Sequence, residues 1–338
     1  MSPRPHRITS PTDLLALVPS TLGFHPEDSL VLIVTAGEGG ALHARVDLPG
    51  DAAETAAAVQ SLLGAVVRAE ARQVVLIAYS HDDPLAEEAV DALALELEFR
   101  DIEVVCAIRA DGERWYPLDN VLPYSDEGVA YDVASHPITA QSVLDGRVTY
   151  DNRQALADSL LGTDIESMEA VQEAADDALR RWKGKSSQPL GMPSQEDVRA
   201  RLAAEGYWIR DRVRRFTRTG EPLDDGEVGR LLVAMTHVDA RDVAWAEMTR
   251  DSAVSHVELW RSVVRRSPVD LLAAPAALLA FAAWLAGDGA LAWCAVERCY
   301  EADPEYSMAG LVAQALVDAI HPSTWRPLAP EELPLFAG

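Results

Sequence analysis

Val74-Val75-Leu76-Ile77-Ala78-Tyr79, the polar break Ser80-His81-Asp82-Asp83, the helical pattern Pro84–Glu98 and the apolar run Ile102–Ile108 together decide the fold. The first run is apolar throughout and β-branched at Val74, Val75 and Ile77, so it reads as a strand buried on both faces. A strand, a helix and a second strand in this order form a βαβ unit with parallel strands. Working back from it, Asp51 caps a helix Ala52–Ala69, and Leu42–Leu48 is a strand that alternates. Leu42, Ala44, Val46 and Leu48 face one way; His43, Arg45 and Asp47 face the other, toward water or a polar pocket. Gly37-Glu38-Gly39-Gly40 turns this strand back from a continuously apolar one, Ser29–Thr35, as a hairpin. The second, third and fourth strands are expected to pair in parallel. Asp111-Gly112 turns the chain into an antiparallel edge strand, Glu113–Tyr116. Ser10-Pro11-Thr12-Asp13 starts a first helix, Leu14–Val18, expected to end near Pro19.

From Ser135 the pattern is helical, broken by the Gly-, Ser- and Pro-containing loop Lys183–Gly191. The fold class is therefore α/β followed by all-α: a mixed, mostly parallel sheet of about five strands, then helices. The expected layout is an α/β domain over residues 1–150, a helical domain over 151–326 and an irregular tail over 327–338. Gly287, Ala292, Val296 and Pro304 stand at the offsets of the second half of a tetratricopeptide repeat. Leu279 and Ala280 fit its first helix, whereas Ala276 and Ala283 occupy the signature Trp and Tyr positions and Cys299 stands where a small residue is usual. Met308–Ile320 is a weaker continuation, so tetratricopeptide-like helix pairs are expected and not a regular solenoid.

The 338-residue chain carries 54 Asp plus Glu against 29 Lys plus Arg, a formal charge of -25. Binding nucleic acid needs clustered cations to neutralise phosphates, so that class is excluded. Arg210-Asp211-Arg212-Val213-Arg214-Arg215 is a local basic cluster, read as a solvated helix face. Three cysteines, Cys106, Cys294 and Cys299, fit a reducing compartment and no disulfide framework. No stretch reaches the length of a membrane span, and Met1–His6 lacks a signal-peptide core. A cytoplasmic protein is expected, with no membrane, metal or cofactor.

Three groups of residues could carry function. Tyr79-Ser80-His81-Asp82-Asp83 follows a parallel strand and precedes a helix, where ligands of α/β sheets bind. Asp47 and Arg109, near the ends of neighbouring strands, would join Ser80, His81 and Asp82 in one crevice. Ser80, His81 and Asp82 are adjacent in the chain and so cannot form a catalytic relay; Asp83 before Pro84 reads as an N-cap. The second group, His25, Pro26, Glu27, Asp28 and Ser29, could supply ligands or acid/base groups, but reads first as the turn that launches a strand. The third, Trp245, His256, Trp260, Trp284 and Trp293, is an aromatic set in the helical half. It reads first as core, and second as a groove for a protein partner. There is no Walker motif, no Gly-x-Ser-x-Gly elbow and no Cys-x-x-Cys pair. A non-catalytic binding or regulatory protein is the leading expectation; an enzyme or small-ligand binder using the crevice is the rival.

Ile8-Thr9-Ser10-Pro11, Leu22-Gly23-Phe24-His25-Pro26-Glu27-Asp28-Ser29-Leu30, Arg45-Val46-Asp47-Leu48-Pro49, Leu259-Trp260-Arg261 and Leu278–Ala292 resemble an actinobacterial family, domain of unknown function 4192, over nearly the whole chain. The resemblance implies no activity. It implies that many relatives carry a cysteine-rich segment where this chain reads Leu118–Gly128, without cysteine.

Overall fold

Ser10 and Asp13 begin the fold by capping each other. The Ser10 hydroxyl accepts the Asp13 N–H at 3.2 Å and the Asp13 carboxylate accepts the Ser10 N–H at 2.9 Å, which starts α1 (Pro11–Leu22). The helix does not end near Pro19, as the sequence predicts. It runs through it to left-handed Gly23 four residues later, with the Ser20 and Thr21 hydroxyls both donating to the Leu17 carbonyl in the last turn. The computed structural model describes residues 8–37, 42–118, 127–184, 195–329 and 332–336. The expected turn at Glu38–Gly40, most of the Leu118–Gly128 segment, most of the Lys183–Gly191 loop and the Met1–His6 start lie outside them.

Among the described residues six strands form one sheet in the order β2-β1-β3-β4-β5-β6. They are β1 (Ser29–Gly37), β2 (His43–Asp47), β3 (Ala71–Tyr79), β4 (Glu103–Ala110), β5 (Arg114–Pro117) and β6 (Val129–Ala130). Only β3 and β4 pair in parallel; β1 lies antiparallel between β2 and β3. The sheet is thus mixed, not mostly parallel. The reason is in the hairpin. β1 is continuously apolar from Leu30 to Val34 and buried from Ser29 to Val34, so it belongs in the middle, whereas alternating β2 suits an edge. The connection from β2 to β3 passes over β1, so β2, β3 and β4 run the same way although β2 never touches β3.

Two layers of helix cover this sheet. On one face α2 (Ala52–Arg68) and α3 (Asp83–Glu98) pack Val59, Leu62, Val66, Ala89, Leu93 and Leu97 against Leu30, Leu32, Leu76 and Ala78. On the other, α1 packs Leu14, Leu15 and Val18 against Val31, Ile33, Val75, Ile77, Ile108 and Trp115. α4 (Pro137–Leu144) lies on α1, with His136 as its N-cap. α5 (Arg153–Asp158) follows. Residues 1–156 with 317–321 form one compact unit, and 157–316 with 322–338 a second.

The second unit is helical: α6 (Ile165–Gly184), α7 (Gln195–Thr219), α8 (Asp225–Ala234), α9 (Val238–Ala246), α10 (Ala253–Val264), α11 (Ala273–Ala286), α12 (Gly289–Ala302) and α13 (Ser307–Val317). α11 is buried at every position from Ala274 to Leu285, which only a central helix can satisfy. α10 and α12 pack against it. The arginines of α7 are not a freely solvated face. Arg210 and Arg214 share Glu247, and Arg212 and Arg215 share Glu227.

Candidate functional site

Ser29, Asp47, Tyr79 and Ala110 form a row across four strands, since Ser29 opposes both Asp47 and Tyr79, and Tyr79 opposes Ala110. The row brings the loop before β1 to the same sheet edge as the ends of β2, β3 and β4. The N-termini of α2 and α3 follow at that edge. His25–Ser29 and Ser80–Asp83, separate in the sequence, therefore meet the same boundary of the sheet.

The loop is built from the inside. Phe24 and Pro26 are buried, and Tyr150 clamps the backbone: the His25 N–H donates to the Tyr150 carbonyl at 3.0 Å and the Tyr150 N–H to the Gly23 carbonyl at 2.8 Å. Asp28 turns the chain into β1 at a left-handed φ of 40°, a conformation aspartate tolerates better than most residues. Ser29 is fully buried; its hydroxyl donates to the Glu27 carbonyl at 2.5 Å and accepts Arg45 Nε at 2.9 Å. Arg45 also reaches Asp47 at 2.7 Å. Burial lowers the Arg45 pKa, and Asp47 opposes that. Burial likewise lowers His43, two residues along the same strand. His25 and Glu27 stay exposed.

At the α3 end, buried Ser80 accepts the Asp82 N–H at 2.9 Å through its hydroxyl. Asp82, not Asp83, is the N-cap, accepting the Leu85 N–H at 3.1 Å. Asp83 stands one residue further on, in the first turn, and takes Arg109 Nε at 2.7 Å. Arg109 is buried, donates to the Ser80 carbonyl at 3.2 Å and lies 4.0 Å over the Tyr116 ring. Tyr116 in turn donates to Asp111 at 3.0 Å. Burial pushes the Asp111 carboxyl up, but the N–H groups of Arg114 and Glu113 and the Tyr116 hydroxyl outweigh it and hold it below its ordinary value. His81 is exposed.

One expected crevice is thus two clusters. Arg45 opposes Val31, in the core under α1, and Arg109 opposes Ala78, in the core under α2 and α3. Asp47, which shares the Arg45 face, and Arg109 stand on opposite faces of the sheet. Ser80 and Asp82 keep company with Arg109; Asp47 does not. Sequence reasoning missed Arg45 as the partner of Ser29, although the polar alternation of β2 pointed at it. The Asp83–Arg109 pair carried no signal, since its partners are 26 residues apart. Tyr79, on the α1 face, has a buried hydroxyl without a partner, and burial first, then Tyr131, raises its pKa well above the ordinary value.

The aromatic set of the helical unit is core in part: Trp245 and Trp293 are only half-buried. Trp260, His256 and Trp284 are buried. Trp245 meets Phe281 edge-on at 5.5 Å, and Phe281 meets Trp284 at 5.4 Å. Trp325, not among the expected residues, completes the cluster 4.8 Å from Phe281 and 5.3 Å from Trp245, its indole N–H on the Met248 carbonyl. Trp293 is half-buried on α12. Neither His256 nitrogen has a hydrogen bond of good geometry; burial drives its pKa down to about 4, with the nearby Glu247 pulling the other way. Among the described residues no group of His, Cys, Asp and Glu is arranged to hold a metal ion, and no helix is long and apolar enough to cross a membrane.

An α/β unit with a mixed sheet, joined in one chain to a helical unit, is the class these features define. The family model for a domain of unknown function, DUF4192, matches residues 11–323, and the chain belongs to that family. No curated protein and no solved structure matches it.

Proposed function

We propose that the protein is a non-catalytic binding or regulatory protein whose helical unit engages another protein. The observation that carries this reading is the consumption of the strand-end polar groups by the fold itself. Ser80 and Asp82 are spent on starting α3, Arg109 on Asp83 and Tyr116, and Arg45 on Ser29 and Asp47. A catalytic group must be free to meet a substrate, and these are already committed. The helix pair α11 and α12 supports the other half of the reading as a tetratricopeptide-like hairpin. Gly287 closes α11 at φ 83°, Ala292 is buried against it, Cys299 lies on the Ala273 carbonyl, and Pro304 follows α12. Stacked helix pairs bind along their surfaces. We take the protein to be cytoplasmic, a reading supported by three cysteines that form no disulfide.

The test is cross-linking of the intact protein to whatever it retains from its own cell extract, with the linked positions mapped. The reading expects links to a retained protein concentrated in 157–316 and 322–338. It fails if the links cluster around His25, Glu27 and His81. A second reading, a small-ligand or enzymatic site at the strand ends, is favoured by the exposure of those three side chains at one edge. A panel of metals and nucleotides that raises the melting temperature, with the rise abolished by His81→Ala, would establish it; bound ligand adds stability by mass action.

A further inference from the structure

The segment Glu332–Phe336, expected from the sequence to be irregular, is seated on α7. Leu333 and Leu335 are buried although Leu333–Phe336 lie outside any helix or strand. The Phe336 N–H donates to the Leu333 carbonyl at 2.9 Å, so Leu333-Pro334-Leu335-Phe336 is a turn with proline at its second position, where proline's fixed φ favours turning. Phe336 stacks 4.7 Å from Tyr207, and Arg199 reaches the Pro334 carbonyl at 3.2 Å.

Gly206 makes the seat. Glycine is unfavourable inside a helix, and here a Cβ would come within 2.7 Å of Leu335, 3.2 Å of Phe336 and 3.3 Å of Val243 of α9. Beside the seated turn a cavity of about 480 Å³ opens between Val198, Arg199 and Leu202 of α7, Asp239 of α9, and Pro334 and Leu335. Among the described residues the turn thus covers one side of a surface groove whose other side is open to solvent, so the segment lies at the protein's surface and not within an enclosed core.

We propose that the groove between α7 and α9 is a peptide-docking site held closed by the chain's own Leu333–Phe336 turn. Its partner in trans is a short protein segment of the same chemistry: a proline-nucleated turn presenting two leucines and an aromatic ring. The seated turn itself argues for this occupant, because it shows which side chains the groove accepts. Tethering supplies the turn at an effective concentration of about millimolar, so a partner competes successfully only when the turn is loosened or the partner binds more tightly. The proposal rests on the reading of the helical unit as an interaction module and names its site.

The experiment uses the full chain and a fluorescent synthetic peptide of residues 327–338. The double variant Leu333→Ser, Leu335→Ser, which frees the groove, is expected to bind the peptide saturably, at least tenfold more tightly than the wild type does. Adding Gly206→Leu, which fills the groove, should abolish binding. Hydrogen exchange on the wild type provides the second measurement: the Phe336 amide should exchange through local opening, much faster than the amides of α11. The proposal is overturned if the folded double variant binds no peptide, if Gly206→Leu has no effect on binding, or if the Phe336 amide exchanges only with global unfolding. Cross-links from a retained partner to α10–α13, with no peptide bound at α7, would sink the groove and leave the wider reading standing.

Discussion

Asp83 accepts Arg109 Nε at 2.7 Å across the boundary between water and core, its own side chain 58% exposed and that of Arg109 only 8%. The two halves of this pair are therefore unequal. Removing the carboxylate leaves a buried guanidinium without its hydrogen-bonded carboxylate and with only the more distant Asp111 charge; removing the guanidinium leaves a carboxylate that water solvates. Asp83→Ala should cost about 2 kcal/mol, less than for a pair buried on both sides because Arg109 keeps the Ser80 carbonyl and the Tyr116 ring. Arg109→Met should cost no more than about 1 kcal/mol, chiefly the lost contact with Tyr116. Urea titrations of both variants, compared at equal m-value, check the order. Equal costs would mean that Asp83 does not neutralise Arg109.

Acid should weaken the helical unit through His256. Its folded pKa, about 4, lies below the ordinary value of 6.5, because burial disfavours the imidazolium. Between those values the unfolded chain binds a proton that the folded chain refuses, so stability is full above 6.5 and falls as pH drops toward 4. A displacement of that size corresponds to about 3 kcal/mol between the two ends of the window. His256→Phe should flatten the profile over this range. An unchanged profile in the variant would assign the acid sensitivity elsewhere.

How far the sequence could be read depends on the range of the interaction. β1 and β3 are legible because their burial is written in consecutive residues, Leu30–Val34 and Val74–Tyr79. The parallel pairing expected between the second and third strands was not, because nothing local tells a hairpin which side of β3 to join; the burial of β1 on both faces decides it. The His25–Ser29 loop was legible as a turn, but its anchor Tyr150 is over a hundred residues away. Arg109 was placed correctly at a strand end, while its face was fixed by a register shift between Val74 and Val75 that no pattern records. Trp325 and Leu333–Phe336 fell in a stretch without periodicity, and their burial comes only from what they pack on.

Gly229 carries the close approach of α8 to α6. A Cβ there would stand 2.6 Å from the Ala174 Cβ and from the nitrogen of Ala175, which belongs to the core of these helices. The helices would have to separate, so Gly229→Ala should destabilise by about 1–3 kcal/mol despite alanine's better helix propensity. Gly226→Ala, in the same helix with only the Asp224 carboxylate nearby, serves as the control. Its expected effect is within about 0.5 kcal/mol of wild type, as for other surface substitutions. Comparable losses in both would show that α8 itself, not its contact with α6, is being read.

The family signature divides into residues the fold needs and residues it does not. Ser29 sits buried between the Glu27 carbonyl and Arg45, so Ser29→Ala strands a buried donor on Arg45 and should cost about 1–3 kcal/mol. Asp28 holds a left-handed backbone, so Asp28→Ala should cost about 1 kcal/mol while Asp28→Gly stays near wild type. His25 and Glu27 are exposed, and His25→Ala and Glu27→Ala should leave the melting temperature unchanged. If those two variants unfold the protein, the loop is structural throughout. If they fold normally yet lose a cross-linked partner or a thermal-shift ligand, the exposed pair is where the signature acts, and the helical unit is not the only surface that matters.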